Sequence, residues 1–363
     1  MKVLQILHTD EIGGIQTLAA MVEEGLVAHG IAVETAFLFP RPFMPASAKM
    51  IAAATMASRI LRGGFDALIA YQATASILVG TAGRMQGSSH RIVHQTCVPG
   101  ETAPVVRWLD RLVGSAGGYT ANIANSAFTE AEFAGYPARY RRHMQLIEHG
   151  LDPPRPKLTR AEARQRFELP ATGSIILNVG RLVDQKNQDV LVAALPALPG
   201  AHLVIAGDGP RRPEIEALAD QHGVRNRLIL LGSVAPEEIA DLFAAADVFA
   251  FPSVWETFGL AAVEAAMVGL PSVVADLDVL REVLATDQTA TTRFVNPRDV
   301  KRWKDALGKM LRDPPLPSLV QASAKAITRK YARERMVASY IAMLKPDFGE
   351  DRAAVSHTRE LEV

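Results

Sequence analysis

Short apolar runs, separated by longer mixed segments, set the limits on what this chain can fold into. Residues 3–7, 33–39, 67–70, 91–94, 121–124 and 145–147 read as strands. Between most of them apolar residues recur at helical spacing. Over residues 14–29, Leu18, Met21, Val22 and Leu26 share one face. Strands this apolar must be covered on both sides. In a strand–helix alternation, that means a parallel sheet between helices.

The alternation stops at Leu151-Asp152-Pro153-Pro154-Arg155-Pro156, whose prolines make a stiff, extended connector. Thr159-Arg160-Ala161-Glu162 then has the spacing of a capping box and opens a helix. Strand patterns resume at 174–179, 203–206, 228–231, 248–251 and 272–275. Helices are expected between them, the one after Ala235 opening with Pro236 in a favoured first-turn position. The expected fold is α/β: two doubly wound domains with a cleft between them, over residues 1–155 and 156–330. Residues 318–344 read as helical, and the last stretch from 331 is free to cross back to the first domain. Residues 346–363 are polar and expected to be loose.

Composition agrees and excludes several classes. A length of 363 residues fits two domains of roughly 100–200 residues each. A hydrophobic content of 48% is too high for a disordered chain. Lys plus Arg and Asp plus Glu each number 39, so the net charge is zero. That argues against a nucleic-acid coat and leaves local patches open. The single cysteine, Cys97, excludes an intramolecular disulfide and a Cys-only zinc cluster. The first apolar run ends at His8-Thr9-Asp10-Glu11, too soon for a secretion signal. The uncharged residues 190–207 are broken by Pro196, Pro199 and Gly200, so they are not a bilayer span. The expected location is the cytoplasm.

Ligands of open α/β sheets sit beyond the carboxyl ends of the strands. Four loops of the second half fall there, after Val179, Ala206, Leu231 and Phe251. Glu256 and Glu264 flank the expected start of a helix near Thr257. Eight helical residues would separate them by roughly 12 Å along the axis. The helix end between them suits an anion. One carboxylate could then bind hydroxyls on each side of a diphosphate. The alternative is a solvated Glu256 and a Glu264 paired with an arginine. Arg181 and Lys186 follow the strand at 174–179, and two cations are what a diphosphate leaving group requires.

The ordered series Val179-Gly180-Arg181, Lys186-Asn187, Leu203-Val204-Ile205-Ala206-Gly207-Asp208-Gly209-Pro210, Pro252-Ser253, Glu256-Thr257-Phe258-Gly259, Glu264-Ala265 and Gly269-Leu270-Pro271 resembles glycosyltransferase family 4. Gly13-Gly14, His94, Asn125-Ser126 and Ile147-Glu148-His149-Gly150 extend the resemblance more weakly into the first half. The resemblance implies a GT-B fold of two Rossmann-like domains facing a central cleft. It also implies retaining, metal-independent sugar transfer from a nucleotide sugar, UDP- or GDP-linked, with no other cofactor. By it, Arg181 and Lys186 would hold the diphosphate and Glu264 the ribose. Glu256, Thr257, Phe258 and Gly259 would meet the donor sugar and phosphate, Ser233 and Val234 the base. Gly207 would belong to the donor site. Gly14 would let the backbone approach the phosphate or acceptor, and His94 would face the sugar. The acceptor would be a glycan or lipid-linked saccharide in cell-surface polysaccharide biosynthesis, selected by first-half loops at 41–47 and 96–103. A sugar-nucleotide epimerase and a non-catalytic partner subunit are the alternatives.

Three places depart from the family pattern. Asp276-Leu277-Asp278-Val279-Leu280-Arg281-Glu282 stands where a glycine-rich turn is usual. Thr291-Thr292-Arg293-Phe294-Val295-Asn296-Pro297 replaces a glycine-containing loop, and His149 replaces a common Asn. Asp276-Leu277-Asp278 also has a metal-binding spacing, for which a loop or helix cap is the plainer reading. Two features lie outside the donor site: the basic run Arg139-Tyr140-Arg141-Arg142-His143, and the segment 104–112, with Val105, Val106, Trp108, Leu109 and Leu112 beside Arg107 and Arg111. They are read either as solvated charge and a core helix face, or as a peripheral contact with an anionic membrane.

Overall fold

A computed structural model of the chain describes residues 1–10, 13–41, 44–286 and 291–344. It divides into two units, Met1–Gly150 joined by the chain from Tyr331, and Leu151–Lys330. The division falls five residues ahead of the boundary expected from the prolines. The expected tail at 346–363 and Pro42 and Phe43 of the expected acceptor loop lie outside the described residues.

The first unit holds a six-stranded parallel sheet: β1 (Lys2–Leu7), β2 (Ala32–Phe37), β3 (Ala67–Tyr71), β4 (His90–Gln95), β5 (Ala121–Ala124) and β6 (Met144–Leu146). Its order is β2-β1-β3-β4-β5-β6. Leu4, Ile6, Leu68, Ala70 and Val93 form its centre, each fully buried. The helix Gly14–Ala28 buries the expected face of Leu18, Met21, Val22 and Leu26. The helix Arg333–Leu344 packs on it. Arg333 pairs with Glu24 and donates to the Met21 carbonyl, and the Gly150 N–H points at the Met336 sulfur.

The second unit holds β7 (Ser174–Val179), β8 (Ala201–Ala206), β9 (Leu228–Gly232), β10 (Val248–Phe251), β11 (Ser272–Ala275) and β12 (Thr292–Val295). These are also all parallel, in the order β12-β11-β10-β7-β8-β9. Ile176, Leu203, Ile205, Val248 and Val273 fill its core with the buried Trp303. Parallel strands buried on both faces need little polarity, which is why their runs were readable.

One expectation needs correction. Residues 292–295 fall in an expected loop, but they pair with β11 as the edge strand β12. They are half-buried except for Val295, so no continuous apolar run marked them. Residues 318–344 are two helices, Pro317–Lys330 and Arg333–Leu344, with the break carrying the chain from one unit to the other. Residues 276–282 are mainly the opening of a helix, Asp278–Leu284. No helix among the described residues is long and apolar enough to cross a membrane.

The second unit opens as its capping box predicts, with Thr159 and Glu162 bonded reciprocally. In the helix that follows, buried Arg164 donates to Asp247 and to the carbonyls of Ala245, Pro170, Ala171 and Gly173. Asp247 in turn accepts from the Ile175 N–H. Removing the guanidinium would leave several carbonyls without this donor and break its pair with Asp247, which would keep only Arg160 and the Ile175 N–H. Arg164→Met should therefore destabilise the unit by about 3–5 kcal/mol. Thermal or urea unfolding of the full chain checks this, and an unchanged midpoint would contradict it.

Candidate functional site

In the second sheet, β7 is flanked by β8 on one side and by β10, three strands later in the chain, on the other. This is the point where strand order reverses, and a crevice opens there beyond the carboxyl ends. The loops leaving β7 and β10 line it. They carry Arg181 and Lys186 on one side and Glu256 on the other.

Buried amides fix both loops. The Asn178 side chain, in β7, donates to the Ala250 carbonyl of β10 at 2.8 Å. Gln188 bridges the Asn178 amide oxygen at 3.3 Å and the Arg181 carbonyl at 3.0 Å. Both residues are only 1% exposed. Asn187 donates to the carbonyls of Pro252 and Pro297. The Gln185 side chain donates to the Trp255 carbonyl, and its own carbonyl accepts from the Val254 N–H. None of these four residues was singled out from sequence as a site residue. Two signals were available: Asn187 stands beside Lys186 in the motif series, and Asn178 is a polar residue inside an otherwise apolar strand.

Gly207 has a packing reason for being glycine. A Cβ there would stand 2.0 Å from the Gly180 carbonyl oxygen. It draws the end of β8 against the loop of Arg181. Gly259 has φ +88°, a left-handed conformation that favours glycine, and a Cβ there would come within 2.7 Å of Leu280.

The charges are arranged as follows. Lys186 forms a short ion pair with Glu256, their side chains 18% and 9% exposed. The Lys186 ammonium also lies 4.9 Å from the centre of the Phe251 ring. Arg181 is exposed and has no ion pair among the described residues. The helix expected from Thr257 starts later, as Leu260–Met267. Glu256 therefore lies in the loop, and the spacing of roughly 12 Å estimated for a continuous helix does not apply. Phe258 is buried, Thr257 half-buried and Ser233 exposed after β9, with Val234 beside it. Backbone donors of the first helical turn face the same end as Glu256.

Glu264 lies in the second turn of that helix. It is half-buried at its surface, but its carboxyl is deep enough that desolvation raises its pKa to about 7. It takes part in no ion pair among the described residues, so the arginine partner allowed for in sequence is absent there.

The departing segments fold on themselves. Asp276 pairs with Arg281, whose guanidinium lies 4.8 Å from the Phe294 ring centre in β12. Asp278 starts a helix rather than a metal site. No cluster of three or more potential metal ligands occurs among the described residues.

The first unit's candidates are placed differently. Gly14 is exposed in the first turn of its helix. His94, at the end of β4, is 1% exposed and stacked between Tyr71 and His149. Burial lowers its pKa to about 3. The imidazole is thus a neutral, enclosed ring, and general acid–base work at neutral pH does not suit it. His149 also bonds Asn125 at 3.0 Å. A cavity of about 430 Å³ in this unit, lined by His90, Ile92, Gln145 and Met343 among others, is separate from all these residues.

Residues 159–333 match the family model described as glycosyl transferases group 1. A D-inositol 3-phosphate glycosyltransferase of Xylanimonas cellulosilytica is 38% identical over 210 residues, 54% of this chain and 50% of that protein. The alignment thus spans about half of that relative's length. Its counterpart in Mycobacterium tuberculosis is 26% identical over 352 residues, 84% of this chain and 72% of that protein. Among solved structures, sucrose-phosphate synthase from Thermosynechococcus elongatus superposes with TM-score 0.80 at 19% identity, covering 96% of this chain and 99% of that one. Anabaena HepE in complex with UDP and glucose gives 0.81 at 18% identity, covering 95% and 100%. The two Rossmann-like units have the GT-B fold.

The raised pKa of Glu264 has a testable consequence. Its stabilising contribution is fully present below the unfolded value of 4.5, where both states are protonated. It is lost as pH rises through 7, because the unfolded carboxyl ionises first. Glu264→Gln should thus stabilise the chain at pH 8 relative to pH 4.5 by roughly 2–3 kcal/mol. Chemical denaturation of both chains at the two pH values measures this, and a pH-independent difference would contradict it.

Proposed function

We propose that this chain is a retaining, metal-independent glycosyltransferase that moves a hexose from a UDP- or GDP-sugar to a glycan or lipid-linked saccharide in cell-surface polysaccharide biosynthesis. The observation that carries the reading is the Lys186–Glu256 pair at the β7/β10 crevice, beside the exposed Arg181 and a helix N-terminus. The glycosyl transferases group 1 match over this unit supports it, as does the UDP and glucose complex of a structure with the same fold.

In this reading, the donor's diphosphate lies across the helix end. Arg181 and Lys186 offset the charge that develops as the sugar–phosphate bond breaks. Lys186 exchanges Glu256 for a phosphate oxygen, so donor binding releases the Glu256 carboxylate to accept from sugar hydroxyls. Thr257 and the backbone of Phe258 and Gly259 complete that contact. Glu264, once ionised, accepts from the ribose hydroxyls, and the backbone at Ser233 and Val234 meets the base. Gly207 acts by packing the Arg181 loop. Gly14 leaves its helix end open to the phosphate or the acceptor. The leaving phosphate, on the same face of the sugar as the acceptor, takes the acceptor proton, so the anomeric configuration is kept. His94 shapes the first unit's sheet end and moves no proton.

Lys186→Ala should lower kcat by about 10²–10³-fold, the usual effect of losing one charge-stabilising donor. Its circular dichroism should be unchanged. Steady-state nucleotide release with anomer analysis of the product tests both the site and the stereochemistry. Full activity in this variant, an inverted product, or conversion of the donor without any acceptor would contradict the reading.

A further inference from the structure

The helix Pro104–Ser115 of the first unit presents its apolar residues to solvent. Val105, Trp108 and Leu112 are 69%, 61% and 51% exposed. Their spacing of three and four residues places them in one stripe. A core helix face would bury this stripe, so that reading fails. The face that does pack inward contains Asp110 and Gly114. Asp110 is the only carboxylate of this helix. It is held inside by the hydroxyls of Tyr119 and Tyr140, at 2.7 and 2.6 Å.

Apart from buried Asp110 the charges of this helix are positive, with exposed Glu101 in the turn ahead of it. Arg107 and Arg111 lie on one flank of the same helix, the Arg111 guanidinium over the Tyr136 ring. The helix Ala138–Arg141 packs against it and brings exposed Arg139 and Arg141, with Arg142 following. A second copy of this chain would set like charges against one another. A neutral lipid surface would leave the arginines without partners. The complement is an anionic surface that also accepts an apolar side chain: the headgroup region of a bilayer. Trp at such a boundary keeps its ring in the apolar layer and its N–H in the polar one.

From this geometry we infer that the Val105–Trp108–Leu112 stripe and its flanking arginines dock the chain peripherally on an anionic lipid bilayer. The apolar stripe enters the headgroup boundary while the arginines pair with lipid phosphates. Zero net charge does not oppose this, since the attraction falls off within a Debye length and is set by local charge. The inference does not rest on the donor site, which lies in the other unit. It would bring a lipid-linked acceptor and the chain to one surface.

Flotation of the full-length chain with vesicles containing phosphatidylglycerol, or with pure phosphatidylcholine vesicles, tests it. The chain should float with the anionic vesicles only, and less at high salt. Arg139→Gln/Arg141→Gln/Arg142→Gln should weaken the partition about a hundredfold, at roughly fivefold per arginine. Trp108→Ser/Leu112→Ser should weaken it at least tenfold. Both variants change exposed side chains and should keep the parent melting temperature and its upward shift with UDP or GDP. Absence of binding to anionic vesicles would overturn the inference, as would unchanged binding in both variants. So would concentration-dependent self-association that Trp108→Ser abolishes, because a second copy would then be the occupant. A chain that binds vesicles but no nucleotide would contradict the transferase reading and leave this surface standing.

Discussion

The buried amide of Asn178 is the contact on which the candidate site depends. It lies in a strand that is apolar on both faces, where an unpartnered amide group costs about 1–3 kcal/mol. Its donor is satisfied by the Ala250 carbonyl and its acceptor by Gln188, which also holds the Arg181 carbonyl. One small network thereby sets β7 against β10 and fixes the loop that carries Arg181. Asn187 and Gln185 extend the same logic to the opposite loop. The side chains of Arg181, Lys186 and Glu256 are thus mounted on loops tied down by buried amides.

The glycines act in the same direction. The close approach at Gly207 and the left-handed turn at Gly259 bring the ends of β8 and β10 to where the charges sit. The electrostatics follow from that placement. Lys186 is neutralised by Glu256, while burial of the Glu264 carboxyl away from water holds its proton to near neutrality. Two carboxylates eight positions apart in the chain therefore have different environments. This is the kind of difference that separates a charge partner from a hydroxyl acceptor.

Much of this was legible from the chain itself, for physical reasons. The runs at 121–124, 174–179, 248–251 and 272–275 coincide with strands because parallel strands covered on both faces can be apolar throughout. The edge strand β12 was missed because Thr292, Arg293 and Phe294 are only half-buried and carry no such run. The helix start at Leu260 was missed because the chain ahead of it is held in loop conformation through left-handed Gly259, which local spacing does not mark. Arg181, Lys186, Glu256 and Glu264 stood out through their order and spacing. Asn178, Gln185 and Gln188 did not, because the carbonyls of Ala250, Trp255 and Arg181 that they bond are brought to them by the fold. Enclosure of His94 between two rings was equally invisible, since stacking depends on how β3 and β4 are registered.

A nucleoside diphosphate is proposed to bind where β7 and β10 diverge. Hydrogen–deuterium exchange with saturating UDP or GDP tests it most directly, since no acceptor or sugar is needed. Slowed exchange is expected in peptides covering residues 180–188 and 252–264, and no slowing in the strands' amino ends. Nucleotide binding that leaves both segments unprotected, or no binding of either nucleotide, would contradict it.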